Sequence, residues 1–196
     1  MTIPRIVWNV MSGRLRRRLA PPPPGILIDF PSVWKSRIGV VDTDTNLHLN
    51  NSSYFTQMEL ALDYAVGYSI TDSWWLLTSL SMHCRYTSII DRVLANKWMF
   101  LVGSHAIRYR HAIPPNQPFE IHTQNIHWDH TWVYLRARFV CPETGKLYAE
   151  GLTRITLRKG RDTISPTELL RCLYSPHEVR YELLGAVAHS LESMRG

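Results

Sequence analysis

The sequence predicts an α+β fold in which one antiparallel sheet packs against a long helix. Two observations favour this prediction. An amphipathic helical pattern precedes four long strand-like segments, and short connections rich in proline, glycine and polar residues join those segments. A sheet with one apolar face must bury that face, and the long helix is the obvious cover. At 196 residues the chain is long enough for one such domain and short for two.

Residues 1–28 are expected to form a basic, proline-rich arm ahead of the domain. Apolar side chains that share one helical face are followed by an arginine cluster and a proline run, and no acidic residue precedes Asp29. The apolar residues are Ile3, Ile6, Val7, Val10 and Met11. Two interpretations stay open: a mobile arm before a stiff proline spacer, or a segment that targets a mitochondrion or contacts a membrane surface.

The domain itself is predicted over residues 29–160. Val33–Asp42 alternates and forms a first strand, and a helix starts near Ser52 behind several candidate N-caps. Its apolar stripe consists of Tyr54, Met58, Ala61, Leu62 and Ala65, and Gly67 suits its end. Residues 69–96 form an insert of short helices and loops, and residues 161–196 form two C-terminal helices that begin near Ser165 and Ser175.

The second half of the domain is predicted as an antiparallel meander of four strands. The strands are Met99–Ile113, Pro118–Trp128, Thr131–Cys141 and Lys146–Arg158. Apolar residues alternate with arginines along them, so one face is expected in the core. The arginine face suits either the wet side of the sheet or contacts to coenzyme A phosphates.

The candidate site lies between the first strand and the central helix, at residues 42–54. Asp44, Asn46 and His48 are spaced by two, so in an extended segment they project to one side while Leu47 and Leu49 point into the fold. A carboxylate base, an amide and an imidazole at the start of a helix are a workable reaction centre. The alternative is an Asx-turn whose side chains only satisfy backbone donors before the helix.

Composition excludes several other classes of protein. The net charge of +6 is concentrated in the N-terminal arginines, and no nucleic-acid reader motif is present. The three cysteines are widely spaced, which indicates a reducing compartment and gives no zinc or disulfide pattern. His122, His127 and His130 lack the partners of a metal shell. No apolar run is long enough to span a membrane, so a cytoplasmic protein is expected, with a mitochondrial or membrane-surface location as the alternative.

The string D-x-N-x-H-x-N-N-x-x-Y over residues 44–54 resembles the hot-dog fold thioesterases. The resemblance covers residues 33–158, and it is to the 4-hydroxybenzoyl-CoA type, the plant acyl-carrier-protein type and a eukaryotic branch partly encoded with fungal natural-product pathways. It implies a hot-dog domain, in which the antiparallel sheet wraps around the long central helix. It also implies a homodimer with the site between protomers, and no metal or organic cofactor. It also implies Asp44 as the catalytic aspartate, Asn46 and His48 as its amide and imidazole partners, and Asn50 and Asn51 as the paired asparagines before the helix.

Three functional hypotheses follow. The first is a hydrolase of an acyl-CoA or acyl-carrier-protein thioester, with Asn50, Asn51, Tyr54, Trp74 and Trp75 in contact with the substrate. The second is a non-hydrolytic tailoring enzyme (a dehydratase, isomerase or cyclase) of polyketide or other secondary metabolism. The third is a non-enzymatic membrane-surface protein that uses the basic arm. Glu59 and Asp63, one helical turn apart, are interpreted as a solvated or hydrogen-bonded pair.

Overall fold

The computed structural model describes residues 3–20, 27, 30–39, 42–68 and 89–173. Four helices and six strands lie within these ranges. In chain order they are α1 (Ile3–Leu19), β1 (Ser32–Arg37), α2 (Asn51–Tyr68), α3 (Ile89–Ala95), β2 (Met99–Tyr109), β3 (Pro118–Trp128), β4 (Val133–Val140), β5 (Leu147–Lys159), β6 (Asp162–Ile164) and α4 (Pro166–Leu173). The predicted long helix, four long strands and first C-terminal helix are therefore present, while β1 ends at Arg37 rather than at Asp42.

The strands form one antiparallel sheet in the order β1-β3-β4-β5-β2, with β6 paired to β5. The predicted meander is correct for β3 to β5 and wrong for β2, which pairs with β5 at the far edge. Residues 110–117 link β2 to β3 and contain Pro114 and Pro115, which have no N–H group for a ladder. This connection crosses the sheet with Ile113 fully buried instead of closing a hairpin.

The sheet curls around α2, as the sequence predicts. The buried side of α2 presents Tyr54, Met58 and Ala61 to a core cluster that includes Phe119 and Phe139 of the sheet. The C-terminal half of α2 packs in a second cluster with residues of α3, β5 and α4. Burial of such side chains stabilises the fold by about 1.5–3 kcal/mol each.

The N-terminal arm is a folded helix over most of its length, so the mobile-arm interpretation is wrong for residues 3–19. Helix α1 packs against α2, and the two backbones approach closely at Gly13 and Gly67. A Cβ atom on Gly13 would lie 2.9 Å from the Tyr68 nitrogen and closer still to the Tyr64 carbonyl oxygen. No helix in the described part of the chain is long and apolar enough to cross a membrane.

Two predicted helical regions, the insert over residues 69–96 and the C-terminal region over residues 161–196, lie only partly within the described ranges. Ser165 caps α4 as predicted, because its hydroxyl accepts the Thr167 N–H at 3.3 Å. The expected helix after Ser175 lies outside the described residues, as does most of the insert. That part of the insert contains Trp74 and Trp75.

Candidate active site

The segment that carries the predicted site is a tight turn, not an extended strand. The Asp44 N–H donates to the His48 carbonyl at 2.9 Å, and the Leu47 N–H donates to the Asp44 carbonyl at 3.0 Å. Leu47 adopts a φ of 57° and is 66% exposed, whereas Leu49 is buried. The prediction that alternate residues share one side, with both leucines in the core, is therefore wrong.

The carboxylate of Asp44 is the reason for this turn. Its Oδ1 accepts the Asn46 N–H at 2.9 Å and the His48 N–H at 3.1 Å, which is the Asx-turn that the sequence analysis left open. The side chain of Asp44 is half-buried, and those of Asn46 and His48 are exposed. The turn fixes the orientation of the Asp44 carboxylate, and its second oxygen makes no hydrogen bond to the residues that the structure describes.

The turn leads directly into the capped start of α2. Asn50 is the N-cap: its Oδ1 accepts the Ser52 N–H at 2.9 Å, and its carbonyl accepts the Ser53 N–H at 2.9 Å. Leu49 donates its N–H to the Ile113 carbonyl at 3.1 Å, which ties the turn to the core. Asn51 begins the helix, where unpaired N–H groups and the helix dipole favour negative charge.

Tyr54 lies in the core rather than on an open surface, so its predicted contact with substrate is not supported by its position. It is 2% exposed and packs edge-on against the rings of Tyr109 and Phe139 at 5.1 and 5.0 Å. Burial, followed by the proximity of Tyr109, raises its pKa to about 12. The Tyr109 hydroxyl in turn donates to the Asn51 carbonyl at 3.3 Å, which links the edge strand β2 to the start of α2.

A second polar cluster, which the sequence analysis did not find, lies where the middle of α2 faces β2. His105 Nδ1 is 2.8 Å from the Thr153 hydroxyl, and His105 Nε2 is 3.5 Å from Glu59 Oε1. The Phe55 ring packs on the imidazole with a centroid distance of 5.7 Å. Only the pairing of β2 with β5 places His105 opposite Thr153, so spacing along the chain gave no signal for this cluster.

Asp63, one turn beyond Glu59, is the most strongly perturbed acid of the described chain. Burial and then the charge of Glu59 raise the pKa of Asp63 to about 7, and its Oδ2 is buried without a hydrogen-bond partner among the described residues. Glu59 and Asp63 are therefore not simply a solvated pair. Together with His105 they form a partly desolvated acid–base group inside the protomer.

The remaining candidate residues are not gathered into a site. A cavity of about 790 Å³ lies between α1, β1 and α2, and Asp42 but not Asp44 is among its lining residues. Guanidinium nitrogens of Arg110 and Arg138 lie 4.0 and 3.9 Å from the carboxylate oxygens of Glu150. Such ion pairs are typical of the solvent-facing side of a sheet. Within the described ranges, no three His, Cys, Asp or Glu side chains are grouped as a metal site requires.

Known proteins with similar sequences and structures point to one family. Residues 38–168 match the model of the Thioesterase-like superfamily. The chain is 24% identical to Thioesterase lcsJ of Purpureocillium lilacinum over 71% of this chain and 47% of that protein. It is 30% identical to Protein THEM6 of Danio rerio over 72% of this chain and 59% of that protein. The chain thus spans about half the length of these relatives.

The structural comparison confirms the fold. The structure of a DHNA-CoA thioesterase from Staphylococcus aureus superposes with a TM-score of 0.55 and 16% sequence identity. The match covers 82% of this chain and 95% of that one. The hot-dog architecture predicted from residues 44–54 and the strand pattern is therefore correct.

Proposed function

Because the chain belongs to the thioesterase-like superfamily, we propose that it hydrolyses the thioester of an acyl-CoA or an acyl carrier protein. The observation that carries this proposal is the Asp44 carboxylate, held by two backbone N–H groups just before the capped start of α2. A thioester carbonyl placed against the first turn of α2 would have its developing negative charge stabilised by the helix N-terminus. Asp44 would then lie on the side from which the carbonyl carbon is attacked.

The proposed reaction needs no group beyond water and the side chains of this site. Asp44 accepts a proton from water as the water oxygen adds to the carbonyl carbon. The C–S bond then breaks, and the leaving thiolate takes up that proton, so the products are a free acid and a thiol. Direct attack by Asp44, followed by hydrolysis of the resulting anhydride, gives the same products. In this proposal Asn46 and His48, which are exposed, orient the water or the substrate.

The homodimer expected from the resemblance is part of this proposal. Strand β2 is a sheet edge of 11 residues, and among the described strands it pairs only with β5. Met99, Leu101 and Val102 are exposed on it, and a long apolar edge of this kind favours pairing with another strand. Because Tyr109 joins β2 to Asn51, a partner docked on β2 would approach the start of α2 and close the open side of the site.

The test is hydrolysis of a panel of acyl-CoAs of varied chain length by the wild type and by the D44N variant. We expect D44N to lower kcat/KM by at least about 100-fold, because the amide cannot act as a base. The matched control is D42N, which removes the same charge from the same loop. Equal activity of D44N and wild type would remove Asp44 from the mechanism.

The Glu59–His105–Thr153 cluster favours a second candidate function, a proton-transfer reaction such as dehydration or isomerisation on the same fold. A carboxylate and an imidazole 3.5 Å apart suit the removal and return of a proton. Mass spectrometry of the products distinguishes the two candidates, since hydrolysis releases the thiol and isomerisation does not. If E59Q abolishes turnover while D44N has no effect, this second function is favoured.

A further inference from the structure

Helix α1 packs through a mixed face and turns large apolar side chains to solvent. Its inner face holds the buried Asn9, Gly13 and Arg17 and the half-buried Ile6 and Val10. The outer side also carries large apolar residues, and Trp8 is 73% exposed and Leu15 58% exposed. A surface helix ordinarily presents polar side chains to solvent. The apolar outer side of α1 is therefore not explained by its packing in the described fold.

The contacts of α1 fix this orientation. Gly13 meets the backbone of α2 at Tyr64 and Tyr68, and Gly67 of α2 meets the backbone of α1 at Val10. The Asn9 Oδ1 accepts the indole N–H of Trp34 in β1 at 3.1 Å. Rotating the helix to bury its apolar side would place bulky side chains where the two backbones touch.

The outer side is an apolar stripe with arginines along it. The stripe is defined by Val7, Trp8, Met11, Leu15 and Leu19, four of which recur every four residues. By helical periodicity Arg18 lies between Val7 and Met11, Arg14 borders one side, and Arg5 and Arg16 border the other. The first turn holds no acidic residue, and the first acid of the sequence is Asp29.

We propose that α1 docks in the plane of a membrane surface that contains anionic lipids. The apolar stripe would enter the boundary between headgroups and acyl chains, and Arg5, Arg16 and Arg18 would contact lipid phosphates. A second copy of this helix fits the stripe poorly, because pairing two stripes brings like-charged arginines together with no acidic partner on either helix. Helix α1 lies beside β1, at the opposite end of the sheet from β2, so docking through α1 leaves the β2 edge free.

This inference does not depend on the proposed hydrolysis. It concerns how the protein is placed, and it stands if the chain catalyses a different reaction or none. A membrane-bound position would give the site access to substrates with long acyl chains, which partition into the bilayer.

Co-sedimentation of the full chain with vesicles tests the proposal. One set of vesicles contains phosphatidylcholine alone, and the other adds phosphatidylserine. We expect binding to the second set that weakens as salt rises, because exposed charges are screened. A W8S/L15S variant should bind at least about tenfold more weakly. An R5Q/R18Q variant should lose about fivefold per arginine on the anionic vesicles.

Matched variants keep the test specific. L94S removes an exposed leucine from α3, and R161Q removes an exposed arginine from the turn before β6, so both should bind as the wild type does. Circular dichroism and thermal melting confirm that each variant is folded. Absence of binding by the wild type overturns the proposal, and so does binding that W8S/L15S leaves unchanged. A change of oligomeric state in W8S/L15S, measured by sedimentation velocity without vesicle binding by the wild type, would assign the stripe to a second copy instead.

Discussion

At the residue scale, one oxygen of the Asp44 carboxylate holds the turn, and the other makes no hydrogen bond to the described residues. Replacement by Asn keeps a side-chain oxygen for the Asn46 and His48 N–H groups, whereas Ala removes the acceptor for both. We therefore expect D44A to lower the free energy of unfolding by about 1–2 kcal/mol and D44N to change it by less than about 0.5 kcal/mol. Urea denaturation measures both. Equal loss of stability in the two variants would contradict the assigned role of Oδ1.

Asp63 gives a pH-dependent contribution to stability. Its pKa is about 7 in the folded protein and near 4 when unfolded, so the unfolded state releases the proton more readily. Asp63 therefore destabilises the fold progressively as the pH rises from about 4 to about 7. We expect D63N to be more stable than the wild type by about 2 kcal/mol at pH 8, discounted for partial exposure, and to show no such gain near pH 4.

The measurement is urea denaturation of D63N and wild type across this pH range. D162N, which changes an exposed aspartate of β6, is the matched control and should show no pH-dependent gain. A stability difference between D63N and wild type that does not vary with pH would contradict the assignment.

The sequence predicted the local part of the site and missed the part that depends on tertiary pairing. Asp44, Asn50 and the start of α2 are close in the chain, so their turn and cap chemistry could be anticipated, including the Asx-turn as an alternative. The cluster around Glu59 and His105 joins residues from three elements. Its geometry depends on the strand register, which the periodicity of single segments does not determine.

At the scale of elements, the close packing of α1 on α2 depends on two glycines. A Cβ atom on Gly67 would meet the backbone of Val10, including its Cα atom at 3.2 Å. We expect G67A to destabilise the protein by about 1–3 kcal/mol and to make α1 more sensitive to proteolysis. G39A is the matched control, since an added Cβ meets only the Asp42 carboxylate at an ordinary 3.6 Å. Proteolysis of G67A at the wild-type rate would contradict this packing.

Element boundaries were predicted better than element connections. The bounds of β3 match the prediction, because alternation and flanking turn residues mark them locally. The position of β2 in the sheet was predicted wrongly, because a meander and a crossover produce the same strand pattern in the sequence. The burial of Ile113 in the connection distinguishes the crossover from the meander, and the residues around Ile113 do not predict that burial.

At the scale of the whole molecule, we expect two copies of the chain to form a dimer along β2. We expect L101K to weaken self-association by at least about tenfold, because it places a charge on the apolar edge. Sedimentation equilibrium measures the dissociation constant. The matched control is L94K, which makes the same substitution at an exposed leucine of α3, outside the β2 edge. If the site lies between protomers, loss of the dimer lowers activity as well. A wild-type chain that stays monomeric at high concentration would contradict the expected dimer interface along β2.

The central claim is that the acyl thioester binds between Asp44 and the start of α2. The most direct test is a crystal structure of the full chain with a non-hydrolysable acyl-CoA analogue. We expect the carbonyl oxygen within hydrogen-bonding distance of an N–H group in the first turn of α2, with the carbonyl carbon facing the Asp44 carboxylate. An acyl carbonyl bound against Glu59 and His105, away from Asp44, would contradict it.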